Sequence, residues 1–278
     1  MARVFPWSPR SEEPVARGVI AGVIENPTYS IVVPAYNESA RIPATLSRVI
    51  ACLRFRGWLA EILVVNDGST DRTTEVVNQF ALQAPEVRLI QNPGNRGKGY
   101  SVRAGMLAAQ GSILMFTDSD LSAPIEEADR LFDAIAAGAD IAIGSRWLES
   151  GRQTHRQPLY RQFFGRCFNF VTRLVMGLPF ADTQCGFKAF TREAAQTVFQ
   201  LQTIEGWGFD PEILFIALKR GYCVKEVPVT WAHDERTRMR YLKDGVKMLK
   251  EMAIIRWNAI TGHYDRKIRA VQAGSGNR

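Results

Sequence analysis

Glu61-Ile62-Leu63-Val64-Val65-Asn66-Asp67-Gly68-Ser69-Thr70-Asp71 is an apolar run that ends in a turn signature. An unbroken Ile/Val/Leu stretch of this length reads as a strand buried on both faces. Asp67-Gly68 marks the turn, and Ser69 or Asp71 can cap a helix after it. Val76, Val77 and Phe80 then recur at helical spacing, predicting a helix over Asp71 to Gln83.

The same strand–turn–helix pattern repeats on either side. Ser30 to Ala35, Val87 to Gln91, Ser112 to Thr117 and Ile141 to Gly144 read as further strands. Pro43 to Phe55, Gly97 to Ala109 and Ile125 to Ala137 read as the helices between them. Alternation of this kind predicts an α/β fold, a Rossmann-like, mostly parallel sheet flanked by helices. Ligands of such sheets bind beyond the carboxyl ends of the strands.

The second half is less regular. Helices are expected over Leu159 to Leu178, Pro211 to Arg220 and Tyr241 to Ile260, with strands over Gly186 to Thr191 and Tyr222 to Trp231. Met1 to Pro27 and residues 265–278 lack periodicity and read as tails. The intervening 28–264 is read as one domain, with a ligand-binding half at 28–146 and a second half at 147–264 that ends in an amphipathic helix.

Hydrophobic residues make up 46% of the 278, enough for a large core. No apolar run approaches the ~20 residues that cross a bilayer, and Val15 to Ile24 is interrupted by Arg17. The chain is therefore expected on the cytosolic side. Cys52, Cys167, Cys185 and Cys223 show no C-x-x-C spacing and read as buried thiols, not as a disulfide or zinc framework. The net charge of +7 favours polyanionic partners.

Acidic residues stand where strands end. Thr117-Asp118-Ser119-Asp120 brings two carboxylates to one strand tip. Adjacent anions are costly unless a cation or donor compensates, and Mg²⁺ or Mn²⁺ is commonly held by such carboxylates plus substrate phosphates. Helix capping by the same residues is the plainer alternative. Asp67 is placed to accept hydrogen bonds from a base or ribose. Pro34-Ala35-Tyr36-Asn37-Glu38 lacks the Gly-x-Gly-x-x-Gly of dinucleotide folds, which disfavours a dehydrogenase. The loop Gly94-Asn95-Arg96-Gly97-Lys98-Gly99 lacks Walker A spacing, yet Lys98 can offer a counter-charge to phosphate.

Taken together, Val32-Val33-Pro34-Ala35-Tyr36-Asn37-Glu38, Val64 to Asp71 and Asp118-Ser119-Asp120 resemble the family-2 glycosyltransferases of the GT-A fold. Asp182-Thr183-Gln184-Cys185-Gly186-Phe187-Lys188, Gly206-Trp207-Gly208-Phe209-Asp210, Asn95 to Gly99 and Gly144-Ser145-Arg146 look like the dolichyl-phosphate β-glucosyltransferase branch. Mannose synthases acting on the same lipid share much of this pattern. The likeness spans roughly Tyr29 to Tyr264. Two departures stand out. The eukaryotic glucosyltransferases carry an N-terminal membrane helix, which this sequence does not show, and Arg236-Thr237-Arg238 replaces the usual Gly-Ser-Lys.

The resemblance implies an inverting transfer of a hexose, glucose from UDP-glucose first, to a polyprenyl phosphate. Pro34, Ala35, Tyr36, Glu38, Asp67, Asp118 and Ser119 would line the donor, with Lys98 and Arg238 near its diphosphate. Asp118 and Asp120 would hold Mg²⁺ or Mn²⁺. Arg146 and Arg161, and Arg166 less directly, would hold the acceptor phosphate. Asp120 and Asp210 are the candidate catalytic residues, Asp210 as base, orienting group or mere helix cap. GDP-mannose as donor and a hydroxyl acceptor are the alternatives, and a nucleotidyltransferase or non-catalytic binder is disfavoured. Leu242, Val246, Leu249 and Ala253 share one helix face with Lys243, Lys247, Lys250 and Arg256 around it, which suits either the surface of an anionic bilayer or a core contact. Nucleic acid is not expected as a partner.

Overall fold

In the computed structural model, residues 24, 26–149, 153–155, 159–232 and 241–266 are described. The first half runs β1 (Tyr29–Ala35), α1 (Ile42–Arg56), β2 (Ala60–Asn66), α2 (Thr73–Gln83), β3 (Val87–Gln91), α3 (Lys98–Ala108), β4 (Ile113–Thr117), α4 (Ala128–Ala136) and β5 (Ile141–Ser145). A 3-10 turn, Ile125–Glu127, leads into α4. These bounds match the sequence reading to within a few residues.

The second half adds β6 (Gln153–His155), α5 (Leu159–Met176), β7 (Phe187–Thr191), α6 (Arg192–Leu201), α7 (Phe209–Lys219), β8 (Val224–Pro228), β9 (Trp231–Ala232) and α8 (Tyr241–Ile260). The strand expected over Tyr222 to Trp231 divides after Pro228, where proline removes a ladder donor. A final 3-10 turn, His263–Asp265, follows α8, and Lys219 Nζ lies 3.0 Å from the Asp265 carboxylate.

Seven strands form the main sheet in the order β3-β2-β1-β4-β7-β5-β8. β1 pairs parallel with β2 and β4, β2 with β3, and β5 with β8. β7 runs antiparallel between β4 and β5. It splits a run of parallel strands, and the sheet is mixed but mostly parallel.

Each central strand feeds both faces with alternate residues. Ile31, Val33, Ile62, Val64 and Met115 pack under α1 and α4 with Leu46, Val49, Leu53, Leu131 and Phe132. Val32, Leu63, Val65, Leu114 and Phe116 pack on the other side against Val102 and Met106 of α3, Val198 and Phe199 of α6, and Ile213 and Leu214 of α7. Each such side chain contributes about 1.5–3 kcal/mol by leaving water. A sheet buried this way can expose only its edges and tips, so the polar chemistry collects at the strand ends.

Of the two placements that the sequence leaves open for the α8 stripe, the core contact is not the one taken by Val246, Leu249 and Ala253, which are exposed. Met248, Met252 and Ile255 face the core, while Val246, Leu249, Ile254, Trp257 and Ile260 lie on the exposed side. Among the described residues, no helix is long and apolar enough to cross a membrane.

Candidate functional site

The tips of β1 and β2 are laced together by their own loop residues. Ala35 pairs with Asn66, and Asp67 N–H donates to Ala35 O at 2.8 Å. Asn37 sits at a φ of 51° and accepts at Oδ1 from Thr70 N–H at 2.7 Å. Asn37 N–H donates to Ser69 Oγ, Glu38 N–H to Thr73 Oγ1 and Ser39 N–H to Asp71 Oδ2. The residues read as helix caps are thus shared. Asp71 accepts from Thr73 N–H at 3.0 Å, while Ser69 bridges to the β1 loop. Glu38 receives Arg41 in a two-point pair at 2.6 and 2.9 Å.

Asp67 organises the glycine-rich loop. Its Oδ1 accepts from Asn92 Nδ2 at 2.8 Å and Arg96 N–H at 3.0 Å, and its Oδ2 from Gly97 N–H at 2.8 Å. Gly97 has a φ of 114°, and a side chain on it would meet Glu205 O at 2.5 Å. The loop is therefore wedged between Asp67 and the Ile204–Gly206 backbone. This is a fixed arrangement, unlike the flexible turn that the glycines alone permit. Sequence reasoning did not find Asn92, whose amide also reaches Ser101 Oγ at 2.9 Å.

The wedged loop directs Lys98 at the tip of β4. Lys98 Nζ lies 2.5 Å from Asp118 Oδ1. Burial disfavours the ammonium, yet Asp118, Asp210 and Asp120 together outweigh it and raise its pKa. Asp120 accepts from Ser122 N–H at 2.9 Å. Its carboxyl is pushed above the usual range, first by burial and then by the neighbouring Asp118. The helix after this tip starts at Ile125 with no side-chain cap, so Asp118 and Asp120 do not cap it. Gly186 leaves room for Asp118, because a side chain there would collide with that carboxylate.

These tips line a cleft of about 1190 Å³. Pro34, Ala35, Tyr36, Glu38, Asp67, Lys98, Asp118, Ser119 and Asp120 all border it, so the structure gathers nearly the whole expected donor set. Gly206 and Trp207 close one side, with Lys98 Nζ 5.4 Å from the Trp207 ring centre. Val246, Lys247 and Lys250 of α8 also border it, which the sequence did not foretell.

Other expected residues stand apart from the lining. Asp210 is 3% exposed and accepts from Lys188 Nζ at 2.6 Å, while Lys188 also donates to Cys185 O. Burial raises the Asp210 pKa, against the pull of Lys188 and Lys98. Arg146 clasps buried Asp182 through Nε at 2.6 Å and Nη2 at 2.8 Å. Burial raises the Asp182 pKa, and Arg146 more than reverses this, so the pair is charged. Arg166 is exposed, its guanidinium 4.9 Å from the Trp147 ring. Arg238 lies outside the described residues, as does the side chain of Arg161. Of the cysteines, Cys52 and Cys185 are buried as expected, but Cys223 is exposed where its loop turns into β8.

Among the described residues, no three His, Cys, Asp or Glu side chains gather as a self-sufficient metal site. Asp118 and Asp120 still suit a hard cation that takes its remaining oxygens from substrate phosphates and water.

Comparison with known proteins agrees with this geometry. The family model described as glycosyl transferase family 2 matches residues 30–199. A dolichyl-phosphate beta-glucosyltransferase of Trichomonas vaginalis is 40% identical over 222 residues, covering 76% of this chain and 66% of that protein. The Saccharomyces cerevisiae protein of the same name is 34% identical over 253 residues, covering 84% and 76%. The Homo sapiens protein is 30% identical, covering 87% and 80%. Among solved structures, glucosyl-3-phosphoglycerate synthase from Mycobacterium tuberculosis, in complex with Mn²⁺, uridine diphosphate and phosphoglyceric acid, superposes with a TM-score of 0.59 at 20% identity, covering 88% of this chain and 81% of that one. The fold is GT-A, and the chain is a glycosyltransferase that belongs to glycosyl transferase family 2.

Proposed function

We propose that the protein transfers glucose from UDP-glucose to a dolichyl-type polyprenyl phosphate, with inversion at the anomeric carbon. The observation that carries this reading is the cleft itself, with Lys98, Asp118 and Asp120 at one strand tip, in a chain 30–40% identical to several proteins named for that reaction.

Pro34, Ala35, Tyr36 and Glu38 border the part of the cleft assigned to base and ribose. Asp67 shapes it by holding the Arg96–Gly97 backbone. Lys98 supplies positive charge at the diphosphate. A divalent cation held by Asp118 and Asp120 would, when bound, act as a Lewis acid for the departing diphosphate. The raised pKa of Asp120 fits a carboxylate placed for a cation, since a second anion lies beside it. Ser119, whose carbonyl accepts from Thr45 Oγ1, keeps the two carboxylates on a braced turn.

The acceptor phosphate is anionic near neutral pH and needs no strong base. Its oxygen attacks the anomeric carbon, the bond from that carbon to the diphosphate breaks, and the nucleoside diphosphate leaves with the electron pair. Asp210 fits this scheme as a support, because its carboxylate is engaged by Lys188. Arg146 gives the acceptor side a fixed guanidinium at the end of β5, with Arg161 on α5 a further phosphate ligand. Arg238 is retained as a donor-phosphate residue.

Peripheral attachment to the cytoplasmic face of an anionic membrane completes the proposal. Phe170, Val171, Leu174 and Val175 of α5 are exposed, as are Val246, Leu249, Trp257 and Ile260 of α8. Exposed apolar stripes flanked by basic residues, arginines on α5 and Lys247 and Lys250 on α8, match an interfacial helix. The test is a donor panel with short polyprenyl phosphates. Lipid-linked glucose from UDP-glucose supports the proposal. Product only from GDP-mannose, or only on a sugar hydroxyl, overturns it.

A further inference from the structure

We infer that Lys247 and Lys250 of α8 form a phosphate-binding edge of the cleft, so that the helix proposed to rest on the bilayer also holds substrate. This rests on the transferase reading above. The ligand chemistry is a phosphate group, which either the nucleotide's diphosphate or the lipid's monophosphate presents.

The rotation of α8 is fixed by what it buries. Met248 and Met252 are each 1% exposed and Ile255 is 0%. Glu251 is 7% exposed and accepts from Gly208 N–H at 2.8 Å. Side chains on Gly206 or Gly208 would run into the Glu251 carboxylate, so the loop carrying Trp207 lies directly against α8. Asn258 Nδ2 ties the next turn to Thr203 Oγ1 at 3.0 Å.

With that face inward, the adjoining edge of the helix borders the cleft. Val246, Lys247 and Lys250 line it together with Asp118, Asp120 and Trp207. Lys247 Nζ folds over the glycine loop, 3.2 Å from where a side-chain carbon would sit on Gly206. Its contact with Glu251 is long, at 3.9 Å. Residues three apart on a helix are neighbours, at about 5–6 Å between Cβ atoms. An anion bound at this edge can therefore be reached by both ammonium groups and relieves their mutual repulsion.

The other cleft cations are already matched. Arg41 is held by Glu38, Arg96 by Glu205 and Lys98 by Asp118. Among the described residues Lys250 has no ion pair, and Lys247 has only the long one. Substrate phosphates arriving beside Asp118 and Asp120 need additional positive charge, and these two lysines stand on the wall that can give it.

The test compares Lys247→Ala/Lys250→Ala with Lys247→Arg/Lys250→Arg in the full chain. Calorimetry follows binding of pyrophosphate, UDP and farnesyl phosphate, each with Mg²⁺. Vesicle sedimentation is run alongside. The alanine pair should weaken at least one of these ligands by about tenfold, the scale of a lost charge-assisted hydrogen bond, and the arginine pair should restore most of it. A loss on pyrophosphate and UDP assigns the edge to the donor, and a loss on farnesyl phosphate assigns it to the acceptor. Unchanged binding of all three, or a loss confined to anionic vesicles, overturns the inference. These binding readouts still decide it if the parent protein transfers no sugar at all, an outcome that would sink only the transferase reading.

Discussion

Lys188 Nζ and Asp210 Oδ1 lie 2.6 Å apart, and both side chains are almost wholly shut off from water. Removing one partner of such a pair strands a charge and typically costs about 3–5 kcal/mol. Asp210→Asn should therefore lower stability in urea unfolding by about 3 kcal/mol. The folded fraction should keep kcat within about tenfold of the parent if Asp210 is no general base. Complete loss of turnover in well-folded Asp210→Asn would indicate a hydroxyl acceptor instead.

Gly186 touches function through space alone. Any side chain there collides with the Asp118 carboxylate. Gly186→Ala should cost about 1–3 kcal/mol in stability and displace Asp118 from Lys98. Binding of UDP with Mg²⁺ should weaken by about tenfold or more, measured by calorimetry. Undiminished UDP affinity would show that the position of Asp118 is unimportant.

Asp71 makes an acid-side prediction. Burial pushes its carboxyl up, but hydrogen bonds from Thr73 and Ser39 more than offset this and bring it down to about 2. The folded value lies below the unfolded one, so the stabilisation is present above about pH 4 and fades as pH falls toward about 2. Asp71→Asn should remove about 1 kcal/mol near neutral pH and flatten that acid limb in urea titrations. An unchanged limb would mean that these bonds contribute nothing.

Trp257 is 66% exposed on α8 and Leu174 is 74% exposed on α5. Replacing both with Ser should leave the unfolding midpoint nearly unchanged, since neither is in the core. Binding to vesicles containing anionic lipid should drop by about tenfold or more. Equal sedimentation of parent and variant would remove these faces from the membrane contact.

How much of this was legible in the chain depends on how local each signal is. Strands β1 to β4 declared themselves because each is a continuous apolar run closed by polar turn residues. Asp118 and Asp120 could be placed at a tip from that alone. α6 was missed because Thr191, its N-cap, accepting from Ala194 N–H at 3.3 Å, also ends the β7 run, so strand and helix merge in the sequence. The insertion of β7 between β4 and β5 is a long-range pairing that no local pattern encodes. α8 is apolar on more than one side from Met252 to Trp257, so periodicity alone could not decide which stripe turns inward. Lys98 was found by its charge, but its aim at Asp118 depends on Asp67 and on the Glu205 backbone, both distant in sequence.

The central claim is that the carboxylates at the tip of β4 hold a sugar nucleotide through a divalent cation. The most direct measurement is transfer of labelled glucose from UDP-glucose to a short polyprenyl phosphate, comparing parent protein and Asp120→Asn, each with Mg²⁺ and with chelator. The account predicts lipid-linked glucose from the parent with metal, none with chelator, and a drop of about a hundredfold or more in the variant. Equal product from Asp120→Asn, or product undiminished by chelator, would contradict it.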